Sequence, residues 1–217
     1  LNLLKNNPKK VNKTYKIFGK GLGSYKAKKM LKLNFGNSGT LARLIIGIIT
    51  STPNIKLKIL GDKSLNKRSM KKLIDLMTKF GAEFFPKGKF FFPLTFSSTN
   101  YPIGISYNSG TSAQLKSAVI LAGLNSYGDT EITENSESRD HTENMLMRNK
   151  RAIKITKSAT KKIKIFGKQY LDNFSIDVPG DPSSAAFFTA LTLLKNKSIL
   201  KIKNVGLNPT RTGFYSL

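Results

Sequence analysis

Gly36-Asn37-Ser38-Gly39-Thr40 runs directly into an apolar segment that begins at Leu41, with Arg43 one turn further along. At a helix start the first backbone N–H groups lack intrahelical partners and the helix dipole is positive, so an anion is favoured there. Glycines let the anion approach the backbone, and an arginine adds a charge-assisted fork. The same residues equally make an ordinary turn with Ser38 or Thr40 as N-cap. The Gly-Lys-Ser/Thr of a nucleotide phosphate loop is missing. Ser109-Gly110-Thr111-Ser112-Ala113-Gln114 repeats the arrangement before a second apolar run, offering hydroxyls, backbone donors and an amide, again with capping as the alternative. In Pro179-Gly180-Asp181-Pro182-Ser183-Ser184 the structural reading is favoured, with Asp181 as N-cap and Pro182 at the first helical position.

Arg68, Arg139 and Arg211 each stand where an extended segment gives way to a helical pattern. From there a guanidinium can reach a carboxylate or phosphate held at the helix starts, although a solvated charge is the usual fate of any one arginine. The run Glu137-Ser138-Arg139-Asp140-His141-Thr142-Glu143 raises the idea of a metal site. Acids gathered near a helix N-terminus are the favoured reading.

Composition narrows the chemistry. The 217-residue chain has no Cys and one His, which excludes a disulfide framework, a thiolate metal site, a His-rich metal site and a cysteine nucleophile. Acid–base work falls to carboxylates, Lys or Tyr. The formal net charge of +25 suits a nucleic-acid binder, with Tyr15, Phe18 and Tyr25 among the N-terminal lysines, but equally a lysine-rich solvated surface. No Asp or Glu precedes Asp62, so the first part of the chain is a cationic face that attracts small anions as readily as polynucleotides. The longest apolar stretch, Leu41 to Ile49, is interrupted by Arg43 and Gly47 and is far short of the ~20 residues needed to span a bilayer. Leu1-Asn2-Leu3-Leu4-Lys5 shows neither an initiator Met nor a signal-peptide core, and the front is expected to be truncated.

These motifs sit on a repeated unit. The small polar residues Ser38, Ser112 and Ser184, each heading an apolar helix, recur at steps of 74 and 72 residues, and Arg68, Arg139 and Arg211 recur in phase at 71 and 72. The unit reads strand, helix, strand, helix, strand. Its first helix is apolar nearly all round (Leu41–Ile49, Leu115–Leu124, Ala185–Leu194), the pattern of a buried helix. The second is amphipathic, with Met70, Leu73, Ile74 and Met77 on one face and Gly81 as a stop. Lys56-Leu57-Lys58-Ile59, Ile153-Lys154-Ile155 and Lys162-Ile163-Lys164-Ile165 alternate with period two, and Lys157-Ser158-Ala159-Thr160 reads as a hairpin loop between the last two. The third copy is incomplete, since the chain stops just after its arginine.

Taken together, GNSGTLAR from Gly36, GDKSLNKRSM from Gly61, SAQLKSAVILAGL from Ser112, SRDHTENML from Ser138, VPGDPSSAAFF from Val178 and NVGLNPTRTGF from Asn204 resemble the enolpyruvyl transferases. Within them, the likeness is to the EPSP synthase (3-phosphoshikimate 1-carboxyvinyltransferase) family. The related UDP-N-acetylglucosamine transferases usually carry a reactive cysteine and lack the SRDHTE run. The resemblance implies an α/β fold, an inside-out α/β barrel of repeated units of about 72 residues with buried helices covered by sheet. It implies two domains around a cleft: residues 1–177 as most of the first, and 178–217 as the beginning of an incomplete second, whose apolar Phe187, Phe188 and Leu191 are then expected to lie exposed.

The activity implied is transfer of the enolpyruvyl group from phosphoenolpyruvate to the 5-hydroxyl of shikimate 3-phosphate, through a tetrahedral intermediate that eliminates phosphate, in the shikimate pathway to chorismate. No cofactor or metal is implied; the enzyme is cytoplasmic and, at full length, monomeric. By resemblance Gly39 and Arg68 hold phosphoenolpyruvate, Asn37 and Thr40 line the same pocket, which glyphosate occupies in sensitive members, and Ser112, Ala113, Gln114 and Arg139 bind shikimate 3-phosphate. The family's acid–base Asp, Glu and Lys and its Lys-Ser-x-Ser-x-Arg segment have no counterpart here, so no catalytic residue is assigned and the fragment alone is expected to be inactive. Asp181 belongs to the PGD motif and not to that catalytic set. Ser69 stands where Pro commonly follows the arginine, and Ser38 where Ala is frequent. The alternatives are an inactive remnant of such an enzyme, or a basic nucleic-acid-binding module, the less favoured partner class.

Overall fold

The computed structural model describes residues 9–11, 14–16, 18–27 and 30–216. The expectation for Leu1–Lys5 and the side chain of Tyr15 lie outside what is described. A short antiparallel ladder, β1 (Lys9–Val11) with β2 (Thr14–Lys16), precedes two copies of one unit.

The first copy runs β3 (Leu31–Asn34), α1 (Gly39–Thr50), β4 (Lys56–Leu60), α2 (Lys71–Lys79), β5 (Glu83–Phe85) and β6 (Leu94–Ser97). The second runs β7 (Ser106–Ser109), α3 (Ala113–Gly123), β8 (Asp129–Glu134), α4 (His141–Leu146), β9 (Ile153–Lys157) and β10 (Lys161–Phe166). The sheets have the same topology, β3-β4-β6-β5 and β7-β8-β10-β9. In each, the strands flanking the first helix are parallel and the remaining pairs antiparallel. The unit therefore has four strands, one more than the expected strand-helix-strand-helix-strand. In the second copy the hairpin was legible, with β9 and β10 pairing around residues 158–160, while Lys157, read as part of the loop, ends β9 and pairs with Lys161. In the first copy β5 and β6 are only three and four residues long, too short to display an alternation of period two.

Alternation sets the faces. Along β4, Leu57 and Ile59 are buried while Lys56 and Lys58 face out. α2 turns Leu73, Ile74, Leu76 and Met77 inward, ends at Phe80, and is followed by Gly81 at φ 103, a left-handed C′ position that glycine takes without steric cost.

α1 and α3 form the centre of the core and lie side by side in the same direction. Near their N-termini Gln114 donates to Thr40, and past their C-termini Asn125 donates to the Ser51 carbonyl; each pair is 74 residues apart, the period of the repeat. The helices cross at Gly47, where a Cβ would lie 2.5 Å from the Ala118 carbonyl oxygen. Buried helices covered by sheet are what the all-round apolar pattern predicts.

The third expected buried helix is different. α5 (Pro182–Leu193) has Asp181 as its N-cap and Pro182 at its first position, as expected, but buries only Pro182 and Ala185. Phe187, Phe188 and Leu191 are 79, 61 and 65% exposed. α1 and α3 cover one another, and no equivalent helix covers α5 among the described residues. The N-caps also correct the alignment of the third copy: Ser38 and Ser112 correspond in position to Asp181, while Ser184 lies inside the helix. No described helix is long and apolar enough to cross a membrane.

Candidate substrate-binding site

The N-termini of α1 and α3 open on one face. Ser38 caps α1 by accepting from the Leu41 N–H at 3.1 Å, a bond that an Ala there could not make. Ser112 caps α3 by accepting from Leu115 at 3.4 Å. Capping does not exhaust the donors: at α1 the Gly39 N–H donates to the Asn37 carbonyl, while the Thr40, Ala113 and Gln114 N–H groups are not engaged by the caps, so the capping and anion readings are compatible.

Around α1 the polar groups form a connected set. Arg43 donates through Nη1 to the Gly39 carbonyl and to Gln114 Oε1, both at 2.9 Å. Gln114 in turn donates to Thr40 Oγ1 at 2.8 Å, so a single amide ties together the two helix starts. Arg68, at the end of a 3-10 turn over Leu65–Lys67, reaches Asn37 Oδ1 and Ser64 Oγ at 3.4 Å. Asp62 fixes this loop by accepting from Asn37 Nδ2 and from the Leu65 N–H, each at 2.7 Å, and those donors hold its carboxyl below the usual carboxylate range. A Cβ on Gly39 would sit 2.8 Å from Arg43 Nη1 and 3.6 Å from Arg68 Nη1, so the two guanidiniums flank this glycine. Half-burial and then the Arg68 charge lower the pKa of Arg43, although it remains a cation at neutral pH. Two guanidiniums facing one backbone position, with Asp62 offset behind Asn37, are an arrangement that attracts an anion.

Ser69, standing where Pro is common in the resembled family, accepts from the Lys71 N–H at 3.3 Å and so supports the start of α2 by a different means. Arg139 lies between β8 and α4, exposed, with no hydrogen-bond or ion-pair partner among the described residues. Arg211 is not part of the α1–α3 face; it pairs with Asp181 and Ser183 at the start of α5, a structural clasp within the third copy. The three in-phase arginines thus share a place in the repeat without sharing partners.

The acidic run does gather at a helix start, with Asp140 at the N-cap position of α4 and Glu143 in its first turn, but part of it is buried. Glu143 is buried, 2.6 Å from Lys116, which also meets Glu134 at 2.8 Å. Burial pushes the Glu134 carboxyl up, but donors from Lys116, Ser138 and Lys161 outweigh it and hold it down at about 2. Sequence reasoning passed over this cluster. Its signal was Lys116 itself, a lone cation in an otherwise apolar helix, which must find acids inside the protein. Among the described residues no three His, Asp or Glu side chains are grouped to hold a metal. A hollow of about 350 Å³ is lined by Ala185, Leu193, Leu207 and Tyr215 beside α5 and includes none of these polar groups. The α1–α3 site is an open face.

A duplicated four-stranded α/β unit with paired helix starts agrees with the fold that the resemblance to enolpyruvyl transferases implies. The family model described as EPSP synthase (3-phosphoshikimate 1-carboxyvinyltransferase) matches residues 1–217, and the chain belongs to that family. It is 45% identical over 199 residues to a 3-phosphoshikimate 1-carboxyvinyltransferase of Bacillus subtilis, covering 91% of this chain and 45% of the relative. It is 38% identical over 205 residues to that of Paramagnetospirillum magneticum, covering 93% and 46%. Among solved structures, EPSP synthase from Acinetobacter baumannii superposes with a TM-score of 0.81 at 33% identity, over 99% of this chain and 48% of that one. The chain therefore spans about half the length of the relatives it matches.

Proposed function

We propose that this chain supplies the substrate-gripping half of an enzyme that transfers the enolpyruvyl group of phosphoenolpyruvate to the 5-hydroxyl of shikimate 3-phosphate, releasing phosphate. The observation that carries the reading is the bridge Arg43–Gln114–Thr40, flanked by Arg68 at Gly39, which brings two helix N-termini and two guanidiniums to one face. Two substrates that both bear phosphate and carboxylate groups need such a face. In this reading Gly39, Arg68, Asn37 and Thr40 take phosphoenolpyruvate, and glyphosate where it inhibits. Ser112, Ala113, Gln114 and Arg139 take shikimate 3-phosphate, with Gln114 touching both subsites. The acid and base that move protons during addition and elimination come from elsewhere in the enzyme. Residues 1–177 belong to the first domain and 178–217 begin the second, in keeping with the end of the second unit at Phe166 and the exposed α5. The enzyme is placed in the cytoplasm.

The test joins this chain to the remaining half of the Bacillus subtilis relative and measures phosphate release from phosphoenolpyruvate. The expected result is release that requires shikimate 3-phosphate and falls at least ~100-fold in Arg68→Ala, since the lost charged contact is worth about 3 kcal/mol. A folded chimera with no such release overturns the reading.

A further inference from the structure

Lys116, Glu134, Glu143 and Lys161 use none of the contacts assigned above. The first three side chains are 0% exposed and Lys161 10%. Lys116 Nζ lies 2.8 Å from Glu134 and 2.6 Å from Glu143, and Lys161 Nζ lies 3.1 Å from Glu134 and 3.7 Å from Glu143, so two cations face two anions. Such a cluster is a poor source of stability. Desolvation of each ion offsets the attraction, and apolar residues of the same volume commonly do as well or better.

Its hydrogen bonds indicate another role. Glu134 Oε1 accepts from the Ser138 backbone N–H at 2.9 Å and from Ser138 Oγ at 2.7 Å, and Ser138 immediately precedes Arg139. On the opposite side the same oxygen accepts from Lys116, two residues beyond Gln114 on α3. One carboxylate oxygen therefore joins the segment that carries Arg139 to the helix that carries Ser112, Ala113 and Gln114. Ser117 and Thr142, whose hydroxyls lie 2.7 Å apart, add a second clasp between α3 and α4.

We propose that Lys116, Glu134, Glu143 and Lys161 are positioning residues that set Arg139 relative to Ser112–Gln114 and thereby determine how tightly the phosphorylated shikimate substrate is held. The inference rests on the subsites assigned under Proposed function. Arg43 and Arg68 are anchored through Gly39, Gln114, Asn37 and Ser64, none of which lies on the 135–140 segment, so loosening that segment displaces Arg139 before it reaches the phosphoenolpyruvate subsite.

Two double variants, each made in this chain joined to the remaining half of the Bacillus subtilis relative, test this. Lys116→Met/Glu134→Leu removes one cation and one anion, leaves Glu143 facing Lys161, and deletes the acceptor of Ser138. Lys116→Met/Glu134→Gln removes the same charges but keeps a carbonyl acceptor for Ser138. Calorimetric titration with shikimate 3-phosphate and with phosphoenolpyruvate, and hydrogen exchange of the 135–140 amides, are measured on each. The expected result is a ~10-fold weaker shikimate 3-phosphate complex in the leucine variant, equivalent to about 1.4 kcal/mol. Phosphoenolpyruvate binding stays unchanged, amide exchange quickens, and the glutamine variant restores wild-type behaviour. Equal binding in all three proteins, equal loss of both ligands, or no rescue by glutamine overturns the proposal. If the unsubstituted chimera binds neither ligand, the functional reading fails on its own account. Exchange of the 135–140 amides then decides the inference: unaltered exchange in the leucine variant ends it, and faster exchange restored by glutamine sustains it.

Discussion

Gly39, assigned to the proposed phosphoenolpyruvate subsite, shows how little space separates a binding role from a structural one. Its missing Cβ is occupied at 2.8 Å by the tip of Arg43, the flexible end of a side chain and not backbone. Gly39→Ala is therefore expected to cost less than ~1 kcal/mol of stability, because the guanidinium can swing away. The displaced group is, however, the one that holds Gln114 at 2.9 Å. Affinity for phosphoenolpyruvate should fall ~10-fold or more with an almost unchanged Tm, a split that titration and thermal unfolding on one sample resolve. Lys116 gives the opposite split. Lys116→Ala leaves two buried carboxylates facing one another with a single cation, and is expected to destabilise the chain by about 3–5 kcal/mol in denaturant unfolding. Residue types drew attention to the first of these places, since glycine, serine and arginine at a helix start suit a cap or an anion. They concealed the second, because its four members are scattered over positions 116, 134, 143 and 161 and meet only through tertiary packing.

Among the elements, the pairing of α1 with α3 decides the geometry of the site. The face is assembled because equivalent positions of two copies meet, Thr40 with Gln114 at one end and Ser51 with Asn125 at the other. Gly47 permits this approach, with Ala118 backbone atoms at 2.5 and 2.9 Å from where a Cβ would be. Gly47→Val should separate the helices, cost about 1–3 kcal/mol by overpacking, and loosen the Gln114 bridge at the distant N-termini. Loss of stability together with weakened binding of both ligands, read by urea unfolding and calorimetry, is the expected outcome; a tolerated valine would show that the helices do not need this contact. The repeat made the elements legible. Alternation gave β4, β9 and β10, and the 3.6-residue period gave α2. The short β5 and β6 escaped for want of length; the all-round apolar pattern of α5 reports what a helix can cover, and the exposure expected of Phe187, Phe188 and Leu191 follows because no neighbour covers them among the described residues.

At the scale of the whole molecule, charge governs the response to pH. The carboxyls of Glu134, Asp62, Asp140 and Asp181 all titrate below their ordinary values in the folded chain, Glu134 at about 2. A depressed folded pKa gives stability that is present above the unfolded value of about 4 and is lost as pH falls towards the folded one. Lys161 and Lys164 are shifted upward by their acidic partners, so their contribution is present below about 10.4 and is lost only as pH rises through the higher folded value. The formal charge of +25 makes the two limbs unequal. Protonating carboxylates adds positive charge to a chain that already repels itself, whereas raising the pH relieves that repulsion. Thermal unfolding across the pH range should therefore show a plateau from about pH 5 to 9, a steep fall below about pH 4, and a shallower one above about pH 10. Lys116→Met/Glu134→Gln removes the most depressed of these carboxyls while leaving the Glu143–Lys161 pair, and should visibly flatten the acid limb without moving the plateau. An acid limb of unchanged slope in that variant would place the acid sensitivity in general charge repulsion and not in the buried cluster.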